Sequence, residues 1–196
     1  MPKLFYQGHG SLRLTANDGR VIYIDPFAGE GYDLPADIIL VSHDHFDHNQ
    51  TDLCAKKENC QIITKENFQL VTESNQLNLN GIKIMAVDAY NKNHLPSKSA
   101  GFIITIDGVK VYVSGDTSKT AQMATFADMG LVYAILCGDG FYNMGPEEAA
   151  ECAEIIRAKH NIIYHVKPKF LFDREIAEKW TVPNKLIVEP NEEIEL

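Results

Sequence analysis

The sequence has no hydrophobic run that could cross a membrane, because nowhere do about 18 apolar residues follow one another. Its first residues, Met1 to Phe5, lack the apolar stretch and the small-residue cleavage site of a signal peptide. We therefore expect a cytoplasmic protein with no membrane partner. No segment rich in proline, glycine or serine divides the chain, so we expect a single domain over residues 1–196.

Cysteine is scarce, and positive charge is neither abundant nor clustered. The four cysteines form no CxxC pair, and a chain of this length buries enough surface to fold without disulfides. We expect Cys137 and Cys152 to be buried in the core of a protein from a reducing compartment. The chain has 18 Lys and Arg against 27 Asp and Glu, a net charge of −9. Most of its surface would repel a polyanion, so nucleic acid is not expected as a partner.

Apolar segments of strand length alternate with turn signals along most of the chain. Two of the turns, Asn17-Asp18-Gly19 and Asp107-Gly108, predict β-hairpins. The continuous apolar run Ile38–Val41 is typical of a strand that is buried on both faces. The predicted strands are Leu12–Thr15, Val21–Ile24, Ile38–Val41, Ile82–Val87, Phe102–Ile106, Val109–Val113, Leu131–Cys137, Asn161–His165 and Leu186–Val188.

Helical patterns are fewer than strand patterns. Pro146 suits the first turn of a helix, and apolar residues at the spacing i, i+3, i+4 and i+7 continue this helix to about His160. Weaker patterns predict helices around Asn49–Asn59, Asn67–Leu70 and Thr120–Gly130. Because strands outnumber helices, we predict a mixed α/β layered domain with a core of sheets and helices on the outside.

Three histidines and two aspartates occur within the six residues from His43 to His48, directly after the predicted strand Ile38–Val41. A chain that leaves a strand in a loop can curl these side chains around one point. Imidazole and carboxylate groups are preferred ligands of zinc and similar divalent cations. Since three of the seven histidines of the chain lie here, a metal site explains the cluster better than a solvated polar turn.

The segment His43-x-His45-x-Asp47-His48 resembles the HxHxDH motif of the metallo-β-lactamase superfamily, whose members bind two metals on a four-layer αββα sandwich. Further segments are similar to other motifs of this family: Gly8-His9-Gly10-Ser11, Asp25-Pro26-Phe27, Val113-Ser114-Gly115-Asp116-Thr117, and Met144 to Ala150 followed by Ile163-Tyr164-His165. The order of these motifs resembles the small metal-dependent hydrolases of the ascorbate-6-phosphate lactonase-like branch. The resemblance covers the chain from about Leu4 to its end and implies an α/β fold with the αββα sandwich.

The resemblance also implies two sets of metal ligands. One ion would take the first two histidines of the motif and a third histidine ahead of Asp116, and the second ion would take the end of the motif and a late histidine. The residues that match are His43, His45 and His94 for the first ion, Asp47, His48 and His165 for the second, and Asp116 as a bridge. We interpret His160, the competitor of His165, as a helix-end residue stabilised by the helix dipole. Without thiolate ligands, zinc is the first expectation, with manganese or iron as alternatives.

Two divalent ions about 3.5–4 Å apart share a water and lower its pKa towards neutrality. The resemblance therefore implies a dinuclear hydrolase that directs a metal-bound hydroxide at an ester, lactone or phosphodiester bond of a small substrate, which could be phosphorylated. Asp44, Asp47 and Asp116 are the candidate catalytic residues. Asp44 would orient the hydroxide, move a proton or hydrogen-bond a ligand imidazole, or it would only cap its loop.

Several roles stay open on the sequence alone. His9 could lie near the metal pocket, outside the ligands or against the substrate, or it could support the first hairpin. Asp139 could be an acid behind the ligands or a turn residue. The alternative function is a non-catalytic metal-binding or regulatory scaffold of the same fold. The branch that the chain resembles often forms homo-oligomers, but the sequence does not constrain the oligomeric state.

Overall fold

The structure, a computed structural model, describes residues 1–69 and 75–196 and contains two β-sheets that share one apolar core. The strands are β1 Lys3–Gly8, β2 Ser11–Thr15, β3 Val21–Ile24, β4 Ala36–Leu40, β5 Lys56–Ile63, β6 Gln76–Leu79, β7 Ile82–Asp88, β8 Ala100–Ile106, β9 Val109–Val113, β10 Tyr133–Cys137, β11 His160–Tyr164, β12 Lys185–Leu186 and β13 Glu193–Glu195. The α-helices are α1 Lys65–Gln69, α2 Pro146–Ile156 and α3 Arg174–Lys179. In the part of the chain that the structure describes, no helix combines the length and the apolar composition that a membrane crossing needs.

Both sheets are mixed. The first has the order β13-β1-β2-β3-β4-β5 and the second the order β12-β11-β10-β9-β8-β7-β6. Strands β3, β4 and β5 are parallel to one another, as are β9, β10, β11 and β12. The carboxyl ends of parallel strands lie at the same edge of a sheet, where open α/β sheets commonly place their ligands. This topology therefore brings loops from distant parts of the sequence together.

The strand β3 illustrates how the first sheet is buried on both faces. Ile22 and Ile24 belong to the apolar core that both sheets share, whereas Val21 and Tyr23 pack on the opposite face. The side chain of Cys54 helps to cover that outer face. A strand buried on both sides needs apolar residues at every position, which explains the continuous apolar runs Val21–Ile24 in β3 and Ile38–Leu40 in β4.

Two of the predicted helices are wrong. Residues 49–59 form one 3-10 turn, Thr51–Leu53, and then enter β5, whose residues Ile62 and Ile63 pair with the neighbouring β4. Pairing with β4 at the edge of the first sheet overrides the weak helical pattern of these polar residues. Around Thr120–Gly130, the chain forms only the 3-10 turn Ala121–Thr125. Of the helix predicted over Asn67–Leu70, residues up to Gln69 belong to α1, and Leu70 lies outside the described residues.

The helix α2 begins at Pro146 as predicted and buries one face, but it ends at Ile156 rather than near His160. Arg157 adopts a left-handed conformation with a φ of 57°, and its N–H donates to the carbonyl of Ala153, which closes the helix. His160 is instead the first residue of β11, with its ring centroid 5.1 Å from that of Tyr133. Its interpretation as a helix cap is therefore wrong.

Candidate metal centre

The predicted metal ligands meet at the edge of the sheets where the parallel strands end. His43 and the rest of its motif follow β4, Asp116 follows β9, and His165 follows β11. His94 lies in the loop after β7, and β7 runs in the same direction as β9 because both are antiparallel to β8. The sheet order thus brings side chains from residues 43 to 165 to one place.

Backbone conformations that are rare for residues other than glycine occur at this edge. His9, Asp25 and His165 have φ values of 53°, 48° and 48°, and each stands directly after a strand. A left-handed conformation costs such a residue about 1–2 kcal/mol, so the surrounding contacts must hold it in place. These three residues turn the chain sharply where the site is built.

The ligand atoms form two groups on either side of Asp116. The nitrogens of His43, His45 and His94 lie within 4.8 Å of one another. The ligand atoms of a second group also lie within 4.8 Å of one another, and its members are His9, Asp47, His48 and His165. Oδ2 of Asp116 is 3.5 Å from Nε2 of His94. Its other oxygen, Oδ1, is 3.5 Å from Nε2 of His48 and 3.6 Å from Nε2 of His165. The carboxylate of Asp116 therefore offers one oxygen to each group.

The outer nitrogens of His48 and His43 are tied to the buried carboxylate of Asp25. Nδ1 of His48 donates to Oδ2 of Asp25 at 2.9 Å. The hydroxyl of Ser42 also donates to this oxygen, at 2.6 Å, and so its own oxygen is free to accept from Nδ1 of His43 at 2.9 Å. With the Nδ1 protons held by these acceptors, Nε2 is the nitrogen that each ring directs inward; it carries a lone pair in His43, and in His48 once the ring loses its second proton.

The other buried histidines have similar partners. Nδ1 of His94 donates to the side-chain oxygen of Asn91 at 2.9 Å. Nδ1 of His165 lies 3.5 Å from Oδ2 of Asp139, and the other oxygen of this carboxylate accepts from the backbone N–H groups of Phe141 and Tyr142. Asp139 is thus both a turn residue and a carboxylate behind a predicted ligand. Partners of this kind fix the orientation and the tautomer of metal-binding histidines.

Several buried polar atoms at the centre have no hydrogen-bond partner among the described residues. They are Nε2 of His43 and His48, both ring nitrogens of His165, and Oδ1 of Asp116. A buried polar atom without a partner costs about 1–3 kcal/mol, and a divalent cation satisfies lone pairs of nitrogen and carboxylate oxygen at once. The donor set therefore fits metal ions.

The protonation states also suit metal binding. Burial and the nearby His48 lower the pKa of His43 to about 2, and burial lowers the pKa of His94 and His165 although Asp116 opposes the shift. Burial opposes the charge of Asp116 too, but His165 and His48 hold the pKa of this carboxyl well below its usual value. Neutral imidazoles and an ionised carboxylate are the forms that bind metal.

His48 behaves differently from the other buried histidines. Burial opposes its positive charge, yet Asp116 and Asp25 outweigh burial and raise its pKa well above the usual value. A histidine held between two carboxylates keeps a proton where a divalent cation would otherwise sit. Metal binding at this group therefore releases a proton from His48.

Two predicted site residues are exposed. The imidazole of His45 and the carboxylate of Asp44 both face a cavity, and Oδ1 of Asp44 accepts from the side-chain amide of Asn49 at 2.5 Å. This bond fits a residue that caps its loop as well as a residue that is held towards a substrate. The catalytic role of Asp44 stays a prediction.

The cavity in front of the centre has a volume of about 780 Å³. Its walls are largely apolar and include Phe27, Phe46, Phe170 and Leu171, and Lys169 also lines it. Phe46 and Phe170 are 71% and 56% exposed, which is unusual for side chains of this size. The motif indicated the metal ligands but gave no sign that these aromatic residues would surround them.

Comparison with known proteins identifies the family. The model of a family described as "Beta-lactamase superfamily domain" matches residues 3–165. A UPF0173 metal-dependent hydrolase of Methanoculleus marisnigri is 30% identical, in an alignment that covers 99% of this chain and 96% of the relative. Another, from Thermococcus onnurineus, is 27% identical over the full length of both chains. The chain therefore belongs to the β-lactamase superfamily and, within it, to the UPF0173 metal-dependent hydrolases.

Solved structures agree with this assignment. A candidate metal-dependent hydrolase from Parabacteroides distasonis is 29% identical and superposes with a TM-score of 0.80, over 96% of this chain and 93% of that one. A metallo hydrolase from Ignicoccus hospitalis, 23% identical, has the same fold with a TM-score of 0.79 over 98% of this chain and 97% of that one. The predicted α/β sandwich is confirmed, and the chain is a metal-dependent hydrolase. The resemblance to the ascorbate-6-phosphate lactonase-like branch stays a prediction.

Proposed function

We propose that the chain is a dinuclear hydrolase of small esters, lactones or phosphodiesters. The single observation that carries this proposal is the position of Asp116, with one carboxylate oxygen 3.5 Å from His94 and the other 3.5 Å from His48. The proposed ligands are His43, His45 and His94 for one ion, Asp47, His48 and His165 for the other, and Asp116 for both.

Bound divalent cations would supply a water of lowered pKa and would polarise the oxygen of the scissile group. In the proposed reaction, a water oxygen bonds to the carbonyl carbon or to phosphorus, the bond to the leaving oxygen breaks, and a proton from the water ends on that oxygen. We assign this proton transfer to Asp44, because its carboxylate is exposed in the cavity and is oriented by Asn49. Asp116 and Asp47 would bind the ions as carboxylates, and their negative charges would lie close to the reacting atoms.

The cavity suggests an apolar group on the substrate. Phe27, Phe46 and Phe170 would bury an aryl or acyl group, and burying apolar surface contributes roughly 25 cal/mol per Å². Lys169 could contact a carboxylate or phosphate elsewhere in the molecule. We therefore propose a small substrate with an apolar part, and we propose zinc for the position of His43, His45 and His94, because three imidazoles and one carboxylate oxygen suit its four-coordinate geometry.

The experiment that tests the proposal measures metal content and turnover together. Wild-type protein, Asp116→Ala and the control Asp128→Ala, which changes an exposed aspartate, are analysed for metal after mild purification. We expect close to two ions per chain in the wild type and the control, and a clear loss in Asp116→Ala. Each protein is then assayed with nitrophenyl esters, lactones and bis(nitrophenyl) phosphate in the metal found.

Two outcomes would contradict the proposal. At most one ion per chain in the wild type, unchanged by Asp116→Ala and by added metal, would remove the bridging role of Asp116. A full complement of two ions with no turnover of any substrate class would favour the non-catalytic scaffold instead.

A further inference from the structure

His9 has contacts that neither the motif nor a purely structural role explains. Its side chain is buried, with a relative exposure of 4%, and Nε2 lies 3.3 Å from Oδ2 of Asp47. Its ring centroid is 3.9 Å from that of His165. The ligand atoms of His9, Asp47, His48 and His165 all lie within 4.8 Å of one another. His9 is therefore as close to the second group of ligands as the members of that group are to one another.

The other nitrogen of His9 determines what Nε2 can do. Nδ1 lies 3.3 Å from the carbonyl oxygen of Phe170, and a carbonyl oxygen only accepts. With the proton on Nδ1, the lone pair of Nε2 faces the carboxylate of Asp47, which also only accepts. With the proton on Nε2, the lone pair of Nδ1 faces the carbonyl of Phe170. Neither arrangement gives both nitrogens a suitable partner, whereas a metal ion between His9 and Asp47 would accept the lone pair of Nε2 and leave the Nδ1 proton hydrogen-bonded to the carbonyl of Phe170.

The backbone holds His9 in this position. Its φ of 53° is rare outside glycine, and three hydrogen bonds fix its peptide groups. Its N–H donates to the carbonyl of Leu171 at 2.6 Å, and its carbonyl accepts from the hydroxyl of Tyr6 at 2.9 Å and from the N–H of His165 at 3.1 Å. The main chain of His9 is thus bonded directly to that of a proposed ligand, and its strained conformation is retained only because these contacts determine it.

We infer that His9 is a further ligand of the second metal ion, together with Asp47, His48, His165 and Asp116. The pattern of its nitrogens matches that of His94 and His48, with Nδ1 directed at an oxygen acceptor and Nε2 directed at a carboxylate of the centre. This inference rests on the proposed dinuclear function, but it concerns the ligands of one ion only.

With His9 as a ligand, the two metal positions differ in their number of protein donors. The first has three histidines and one oxygen of Asp116, a set of four that suits tetrahedral zinc. The second would have five protein donors, which together with a water suits a six-coordinate ion such as Mn²⁺ or Fe²⁺. We therefore expect the second position to prefer such an ion over zinc, and we expect this preference to depend on His9.

The test uses two variants that keep the backbone of the turn. Asparagine and glycine both tolerate a positive φ, so His9→Asn and His9→Gly remove the imidazole without adding strain. His160→Asn, the same change at a histidine of β11, is the matched control. Dissociation constants for both ions are measured on metal-free protein by competition with a chromophoric chelator, and Co²⁺ spectra report the coordination of each position. Imidazole is then added to His9→Gly, because His9 lines the open cavity and its place is accessible from it.

We expect both His9 variants to bind the first ion as the wild type does, and to bind the second with a Kd raised by more than about 100-fold. Loss of a group behind the ligands typically costs about 10–100-fold, so a larger effect marks a ligand. Imidazole should restore the second ion and its Co²⁺ bands in His9→Gly, and His160→Asn should bind both ions normally.

If His9→Gly bound each ion with the affinity of the wild type, the inference would be overturned, and His9 would be a hydrogen-bond partner of Asp47 instead of a ligand. Equal loss of both ions, without rescue by imidazole, would overturn it as well, since His9 would then support the fold. A wild type that binds at most one ion would overturn the proposed dinuclear function itself, and this measurement precedes any substitution.

Discussion

The carboxylate of Asp25 accepts a hydrogen bond of 2.9 Å from Nδ1 of His48, and both side chains are fully excluded from solvent. The same carboxylate accepts from the N–H and from the hydroxyl of Ser42, each at 2.6 Å. Through Ser42 it also acts on His43. One buried carboxylate thus orients two proposed ligands that belong to different metal positions.

This relationship makes Asp25→Asn a sharp test of ligand orientation. An asparagine has only one oxygen, so its amide N–H₂ would face a donor where Asp25 accepts. We expect the affinity for metal to fall by about 10–100-fold in this variant, as is typical for a partner behind a ligand. Titration of the metal-free protein with Zn²⁺ measures this effect.

Asp37→Asn is the matched control, because Asp37 accepts from the N–H of Val21 at 2.8 Å away from the metal centre. It should change metal affinity little. A wild-type affinity in Asp25→Asn would show that the orientation of His48 does not depend on this carboxylate.

Gly10→Ala should disturb the site through shape alone. A methyl group at this position would lie 2.8 Å from Cε1 of His48 and 3.3 Å from Cδ2 of His165. Overpacking of this kind typically costs about 1–3 kcal/mol of the free energy of unfolding, and here it should also displace both imidazoles. We expect lower stability in urea and a weaker second metal ion. Gly145→Ala, whose added methyl meets no atom closer than 3.5 Å, should bind both ions normally.

The metal-free protein should become more stable as the pH rises from about 4 to the pKa of an unfolded histidine, about 6.5. The pKa of His43 is lowered to about 2 by burial, and the pKa values of His94 and His165 are lowered in the same direction. Below a pH of about 6.5, the histidines of the unfolded chain bind protons, whereas these buried imidazoles stay neutral. The free energy of unfolding therefore falls as the pH is lowered.

His48 affects the pH dependence of stability in the opposite direction. Its raised pKa contributes stability that is present below about pH 6.5 and is lost as the pH rises through its folded pKa. This loss lies above about pH 6.5, so it does not oppose the slope that the lowered pKa values of His43, His94 and His165 produce below that pH. Urea midpoints of the metal-free protein across this range measure the slope, and His43→Ala should reduce it. A midpoint that falls with rising pH would contradict the assigned protonation states.

The aromatic side chains that line the cavity, Phe46 and Phe170 among them, should control which substrates the protein prefers. We expect Phe46→Ala and Phe170→Ala to lower kcat/KM for esters with aryl or long acyl groups by about 10-fold, mainly through KM, because each truncation removes roughly 1–3 kcal/mol of apolar contact. Phe141→Ala changes a residue that is 66% exposed but does not line this cavity, and it should leave the kinetics unchanged. Equal losses for acetyl and for longer esters would argue against an apolar subsite.

Local sequence patterns predicted the structure correctly where residues close in sequence determine it. The hairpins around Asn17-Asp18-Gly19 and Asp107-Gly108 and the start of α2 at Pro146 lie where their turn and cap residues predict them. The strand β5 was missed because its exposed residues, such as Lys57 and Glu58, have no alternating pattern. It is a strand because the edge of β4 supplies its hydrogen-bond partners.

By itself, the sequence predicted a metal site directly after β4, since six consecutive residues carry three imidazoles and two carboxylates. The family resemblance added His94, Asp116 and His165 as candidates, but only the tertiary structure decided how these side chains are arranged and that His9 lies among them. Asp116 comes between the two groups of ligands, and His9 comes into contact with His165, because the order and direction of the strands bring their ends together. Such contacts link residues that are distant in the sequence, more than a hundred positions apart for His9 and His165, and no local pattern of polarity or spacing encodes them.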